Sequence, residues 1–101
     1  LRSLEILDLQ SNRIGNAGCE IIATLLDQPS CNIQQLSLID NHIDNEGAVT
    51  LANGLANNAK LRELYLQNNP IDRSNVVGIF NELLCNTSNI RDTYFSNHTL
   101  E

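Results

Sequence analysis

Apolar residues recur along this chain in two alternating rhythms. Four stretches share one pattern: LEILDLQSNRI from Leu4, IQQLSLIDNHI from Ile33, LRELYLQNNPI from Leu61 and IRDTYFSNHTL from Ile90. Their starts lie 29, 28 and 29 residues apart. Leu7, Leu36 and Leu64 align, as do Leu9, Leu38 and Leu66, then Asn12, Asn41 and Asn69, then Ile14, Ile43 and Ile71. The fourth copy departs from the pattern with Thr93, Phe95, His98 and Leu100. The alternation predicts a short strand that buries every second side chain. Between these stretches the period lengthens. Cys19, Ile22, Ala23 and Leu26 fall at offsets 0, 3, 4 and 7, as do Ala48, Leu51, Ala52 and Leu55, and Val76, Ile79, Phe80 and Leu83. That spacing is one face of an α-helix.

Each unit is therefore a strand, a turn, a helix and a loop, repeated about three and a half times from near residues 4, 33, 61 and 90. Strands separated by helices should be parallel. Asn16 and Asn45 stand where helix N-caps are expected, with Asp72 or Ser74 in the third unit. Gly18 and Gly47 in the first turn are expected to let the helix approach the strand layer, and Asn75 in place of a third glycine predicts a different helix start there. Pro29 and the pair Asn57 and Asn58 are expected to end the first two helices. Asn41 sits among core-like residues because the bend after the strand leaves backbone groups without partners. An amide supplies both donor and acceptor there. Stacked Asn12, Asn41 and Asn69 are expected to form a ladder along the array.

The pattern L-x-x-L-x-L-x-x-N-x-I, continued by G-x-x-x-[IL]-x-x-x-L, resembles leucine-rich repeats. The alternation of 28 and 29 residues with a full helix is similar to the ribonuclease-inhibitor-like subfamily. The resemblance covers nearly the whole chain. It implies an α/β solenoid, a curved right-handed β-α superhelix with parallel strands on the concave face and helices on the convex face. Strands pack at ~4.8 Å and helices at ~8–10 Å, so each unit should turn the array by roughly 25°.

With Leu7 and Leu9 inward, alternation sends Ile6, Asp8 and Gln10 to the concave surface. The matching sets are Gln35, Ser37 and Ile39; Glu63, Tyr65 and Gln67; and Asp92, Tyr94 and Ser96. Tyr65 and Tyr94 fall in one column, beside Glu63 and Asp92. An acidic and aromatic patch of this kind suits an Arg or Lys of a partner. On the convex side Ile21 and Leu25 form an apolar pair whose counterparts are Thr50 and Gly54, then Gly78 and Glu82. The pair is expected to pack on a preceding repeat. The terminal units carry no polar caps, which predicts further repeats or neighbouring chains over the array's ends.

Composition narrows the function more than the fold. Net charge is −6, which disfavours nucleic acid and anionic membranes and suits a partner with a basic patch. No apolar run is long enough for membrane insertion. Three cysteines, Cys19, Cys31 and Cys85, make neither a disulfide framework nor a metal site and suggest an intracellular, most simply cytoplasmic, setting. The sequons at Asn86 and Asn97 are uninformative: 15 Asn and 12 Ser or Thr in 101 residues give about two by chance. His42 and His98 belong to turns of different units, so they make no joint metal site. Glu63 and Asp92 lie on an open surface unsuited to acid–base chemistry. No catalytic residue, cofactor site or metal site is assigned. The expected function is binding of a partner polypeptide on the concave face. The alternatives are an architectural subunit held by its ends or convex face, and a GTPase-regulating repeat domain.

Overall fold

After each helix the chain returns to the edge of one growing sheet. The computed structural model describes residues 4–84 and 92–95. It runs β1 (Ile6–Asp8), α1 (Gly15–Leu26), β2 (Gln35–Ser37), α2 (Asn45–Leu55), β3 (Glu63–Tyr65), α3 (Arg73–Leu84) and β4 (Asp92–Tyr94). The four strands form one parallel sheet in sequence order. Leu7 pairs with Leu36, Leu36 with Leu64 and Leu64 with Thr93, so residues aligned in sequence are stacked in space.

The strands are three residues long, yet the backbone ladder runs past them. Leu9 N–H donates to Ser37 C=O at 2.9 Å, Leu38 N–H to Tyr65 C=O at 2.8 Å and Leu66 N–H to Tyr94 C=O at 2.7 Å. Further on, Ser11 and Asp40 donate to Ile39 and Gln67. Because each strand is extended with its side chains alternating, the inward leucines meet the helical stripes in a single core. Leu36, Leu38, Leu64 and Leu66 are completely buried against Cys19, Leu26, Leu51, Leu55 and Val76. Leu7, on the edge strand β1, and Leu9, just after it, are only partly covered. At the other end Phe80 of α3 meets Phe95 edge to face, with centroids 5.3 Å apart. Adding one strand per helix on the same side produces the curved solenoid implied by the sequence, strands inside and helices outside.

The first two helix starts differ from those expected, while Asp72, one of the two caps expected for the third, holds that place. Asn16 and Asn45 are not caps. Asp44 is the N-cap of α2, accepting Glu46 N–H at 2.9 Å. Asp72 holds the equivalent place before α3 and accepts Ser74 N–H at 3.2 Å. Helix α1 begins at Gly15, with no side-chain cap. A carboxylate one residue earlier wins because it reaches the N–H two residues on. Helix α3 starts at Arg73, in register with Asn45, so Asn75 does not displace it. The glycines also act elsewhere than expected. A side chain at Gly18 would strike Ile14, and one at Gly47 would strike Ile43 and Asn16 at the start of α1, so the clearance is to turn residues and the preceding helix start rather than to the strand layer. Gly54 is the point of close helix approach: a Cβ there would lie 2.7 Å from the Cα of Ala23 in α1.

Candidate functional site

The face opposite the helices is built from the outward residue of each strand and its neighbours. The register places Ile6, Gln35, Glu63 and Asp92 in one row, and Asp8, Ser37, Tyr65 and Tyr94 in the next. Ile6, Asp8, Gln10 and Gln35 are exposed, while Ser37, Ile39, Glu63, Tyr65, Gln67 and Tyr94 are half-buried. Ile6 is 61% exposed, unusual for an isoleucine on a strand. Ser96 lies outside the described residues, as do Cys85, His98, Leu100 and both sequons. The side chains of Asp92 and Leu83 do also.

Tyr65 and Tyr94 stack with centroids 4.7 Å apart and planes 11° from parallel. That separation matches the spacing of adjacent strands, ~4.8 Å, so each ring stands over its own strand. The Tyr65 hydroxyl donates to Glu63 Oε1 at 3.0 Å. The bond fixes the ring and turns the carboxylate towards the aromatic column. At the other end of the row, Asp8 Oδ1 accepts Gln10 N–H at 3.1 Å. Gln67 Oε1 is buried and accepts no hydrogen bond among the described residues.

Two hydrogen-bonded series hold this face in shape. In the first, the Asn41 side-chain oxygen accepts the N–H groups of Asn12 and Ile14 at 2.8 and 3.1 Å. Its amide nitrogen donates to the carbonyls of Leu9 and Ile39. Asn69 repeats the arrangement, accepting from Asn41 and Ile43 and donating to Leu38, Leu66 and Gln67. Asn12 donates to Leu9 and Gln10 within its own unit. Asn41 is fully buried, whereas Asn12 at the edge is exposed. The turn residues beside these amides are bent into the left-handed region: Ser11, Arg13, Asp40, His42 and Asn68 have φ between 53° and 63°.

The second series was not recognised from sequence. Asn16 Nδ2 donates to Asp44 Oδ1 at 2.6 Å, while its oxygen accepts Asp44 N–H at 3.1 Å. Asn45 accepts Asp72 N–H at 2.6 Å. The asparagines read as caps instead tie each helix start to the cap of the following unit. The Asn16 bond, with the N–H groups of Glu46 and Gly47, holds the Asp44 carboxyl below its ordinary pKa. Asn58 is a third tie. It is buried, donates to Leu26 C=O at 2.8 Å and accepts the N–H groups of Lys60 and Leu61.

Cys19 and Cys31 are buried free thiols. Burial, then the Asp44 carboxylate, pushes the Cys19 thiol up to about 11. Among the described residues no group of three or more His, Cys, Asp or Glu side chains is placed to hold a metal ion. No described helix is long and apolar enough to cross a membrane.

A stack of repeated strand–helix units with an open row of side chains along its strand face defines a repeat solenoid. The chain belongs to the leucine-rich repeat family, and to its ribonuclease-inhibitor-like type. One leucine-rich-repeat family model matches residues 1–23 and 30–52, and another matches residues 60–87. The chain is 36% identical over 84 residues to human NACHT, LRR and PYD domains-containing protein 5, covering 83% of this chain and 7% of that protein. It is 38% identical over 69 residues to the ribonuclease inhibitor of Sus scrofa, covering 68% of this chain and 15% of the inhibitor. With the Mus musculus ribonuclease inhibitor it shares 37% over 82 residues, 81% of this chain and 18% of that protein. The chain thus spans less than a fifth of the length of these relatives. Membership of the family suggests protein interaction or ligand binding.

Proposed function

We propose that this chain recognises a partner polypeptide on its concave strand face and performs no chemistry. The observation that carries the reading is the Tyr65 and Tyr94 stack braced by Glu63. Tyrosines supply large contact area with little conformational freedom to lose, which suits them to the centre of an interface. With a net charge of −6, a partner presenting a basic patch is the complement. Two relatives are named as inhibitors of a ribonuclease, which supports a protein as the target of such a face. The residues put forward are Ile6, Asp8, Gln10, Gln35, Ser37, Ile39, Glu63, Tyr65, Gln67, Asp92, Tyr94 and Ser96. We read residues 1–101 as one segment of a longer array, in keeping with the small share of each relative that it covers. The free thiols of Cys19 and Cys31 support an intracellular setting.

The test compares capture of a binding protein by wild type, by Tyr65→Ala with Tyr94→Ala, and by Glu63→Lys with Asp92→Lys. Both double variants should lose the partner while thermal unfolding stays near that of wild type. Retained capture by both would reject the concave face. A second reading, an architectural subunit joined through its convex side, is favoured by Ile21, which is 73% exposed on α1. In that case Ile21→Asp, rather than the tyrosine changes, should disrupt assembly.

A further inference from the structure

One dipeptide of α2 carries chemistry of its own. Asn53–Gly54 is the sole Asn-Gly pair in the sequence. In such a pair the glycine backbone nitrogen can close on the asparagine side-chain carbonyl, because no Cβ on the second residue hinders the approach. Asn41, Asn58 and Asn69 are followed by His42, Ala59 and Pro70, and their amides are engaged in hydrogen bonds. Asn53 is exposed and lines a groove of about 350 Å³ between α1 and α2, together with Glu20, Thr24, Asp27 and Thr50. Water therefore reaches its amide. The pair lies in the last turn of α2, where Ala56 N–H donates to Asn53 C=O at a long 3.4 Å. Leu55 is fully buried, and a Cβ at Gly54 would lie 2.7 Å from the Ala23 Cα. The turn thus opens only when the seam between α1 and α2 opens with it.

We propose that Asn53 is a deamidation site, gated by this seam, whose product keeps the seam from closing again. In the opened turn the Gly54 nitrogen gives its proton to solvent and attacks Asn53 Cγ. The new C–N bond closes a succinimide ring, the Cγ–Nδ2 bond breaks, and ammonia leaves with a proton taken from solvent. Water then adds to one ring carbonyl. Opening at the side-chain carbonyl yields an aspartate. Opening at the main-chain carbonyl yields an isoaspartate, whose backbone runs through the former side-chain methylene. Either product sets a third carboxylate in the groove that Glu20 and Asp27 already line. The isoaspartate also lengthens the main chain by one atom directly before Gly54. The contact with Ala23 leaves no slack there, and a close-packed seam takes up extra volume only by moving apart.

The test ages the 101-residue chain in mildly alkaline buffer at body temperature, with and without urea. Peptide mass spectrometry reads a gain of one mass unit at Asn53, and methyl transfer by an isoaspartyl methyltransferase reads the isoaspartate. Conversion at Asn53 should proceed in the folded chain and run about tenfold faster in urea, where the seam is open. The isolated isoaspartyl chain should melt about 5 °C below the fresh chain. Asn53→Asp adds the charge without lengthening the backbone and should melt between the two. Asn53→Gln should keep its mass at that position and its melting point on ageing. An Asn53 that keeps its amide in the folded chain while the urea sample loses it overturns the site. Equal rates in the two samples overturn the gate, and an isoaspartyl chain that melts with the fresh one overturns the effect on the seam.

Discussion

Asn41 shows how much one side chain can hold. Four backbone groups in two units rely on its amide, and all of it is out of water. Asn41→Ala leaves the N–H groups of Asn12 and Ile14 unmatched, while the carbonyls of Leu9 and Ile39 keep Asn12 Nδ2 and Ser11 N–H, and should lower unfolding stability by roughly 3 kcal/mol in a urea titration. Asn12→Ala removes only exposed bonds within one unit and should cost under about 1 kcal/mol. Equal losses at the two positions would show that the ladder is not what matters. The neighbouring His42 carries a different cost, because its φ of 61° is unfavourable for any residue with a Cβ. His42→Gly should therefore raise stability by about 0.5 kcal/mol, measured the same way. The role of the asparagines was legible because the same residue type returned at one position in three units. Asn58 was not legible, because its counterparts Ser30 and Thr87 break the period.

At the scale of elements, strands and helical stripes could be read from spacing alone, since burial on one face leaves a periodic trace. Helix starts could not be read to the residue. Asp44 and Asn45 are both good capping residues, and only the geometry decides that the carboxylate caps and the amide reaches the neighbouring unit. The pairing gives an acid sensitivity. Because the Asp44 pKa is lowered in the fold, its contribution is complete above the ordinary carboxylate value of ~3.9 and is lost as pH falls through the lower folded value. Asp44→Asn should remove that part of the acid unfolding profile, followed by circular dichroism. Helix packing supplies a contrasting pair of substitutions. Gly54→Ala places a methyl against the Ala23 backbone and should destabilise by about 1–2 kcal/mol, even after its gain in helix propensity. Gly78→Ala meets nothing within 4 Å and should stabilise by about 0.8 kcal/mol.

For the whole molecule, the repeat dictates the architecture and leaves the strand face free to vary. That is why the fold could be read from one sequence. The tyrosine pair could be placed in one column, but its stacking and the brace from Glu63 depend on rotamers that no spacing encodes. The direction of the asparagine bonds carries a final consequence. Each amide oxygen reaches back to complete the bend of the unit before it, across 26 to 29 residues. A ribosome delivers the units in the opposite sense, so every newly emerged bend waits for its successor before it can close. A nascent chain halted ahead of Asn69 should leave the amides of Asn41 and Ile43 open to hydrogen exchange, and release of the next few residues should shut them.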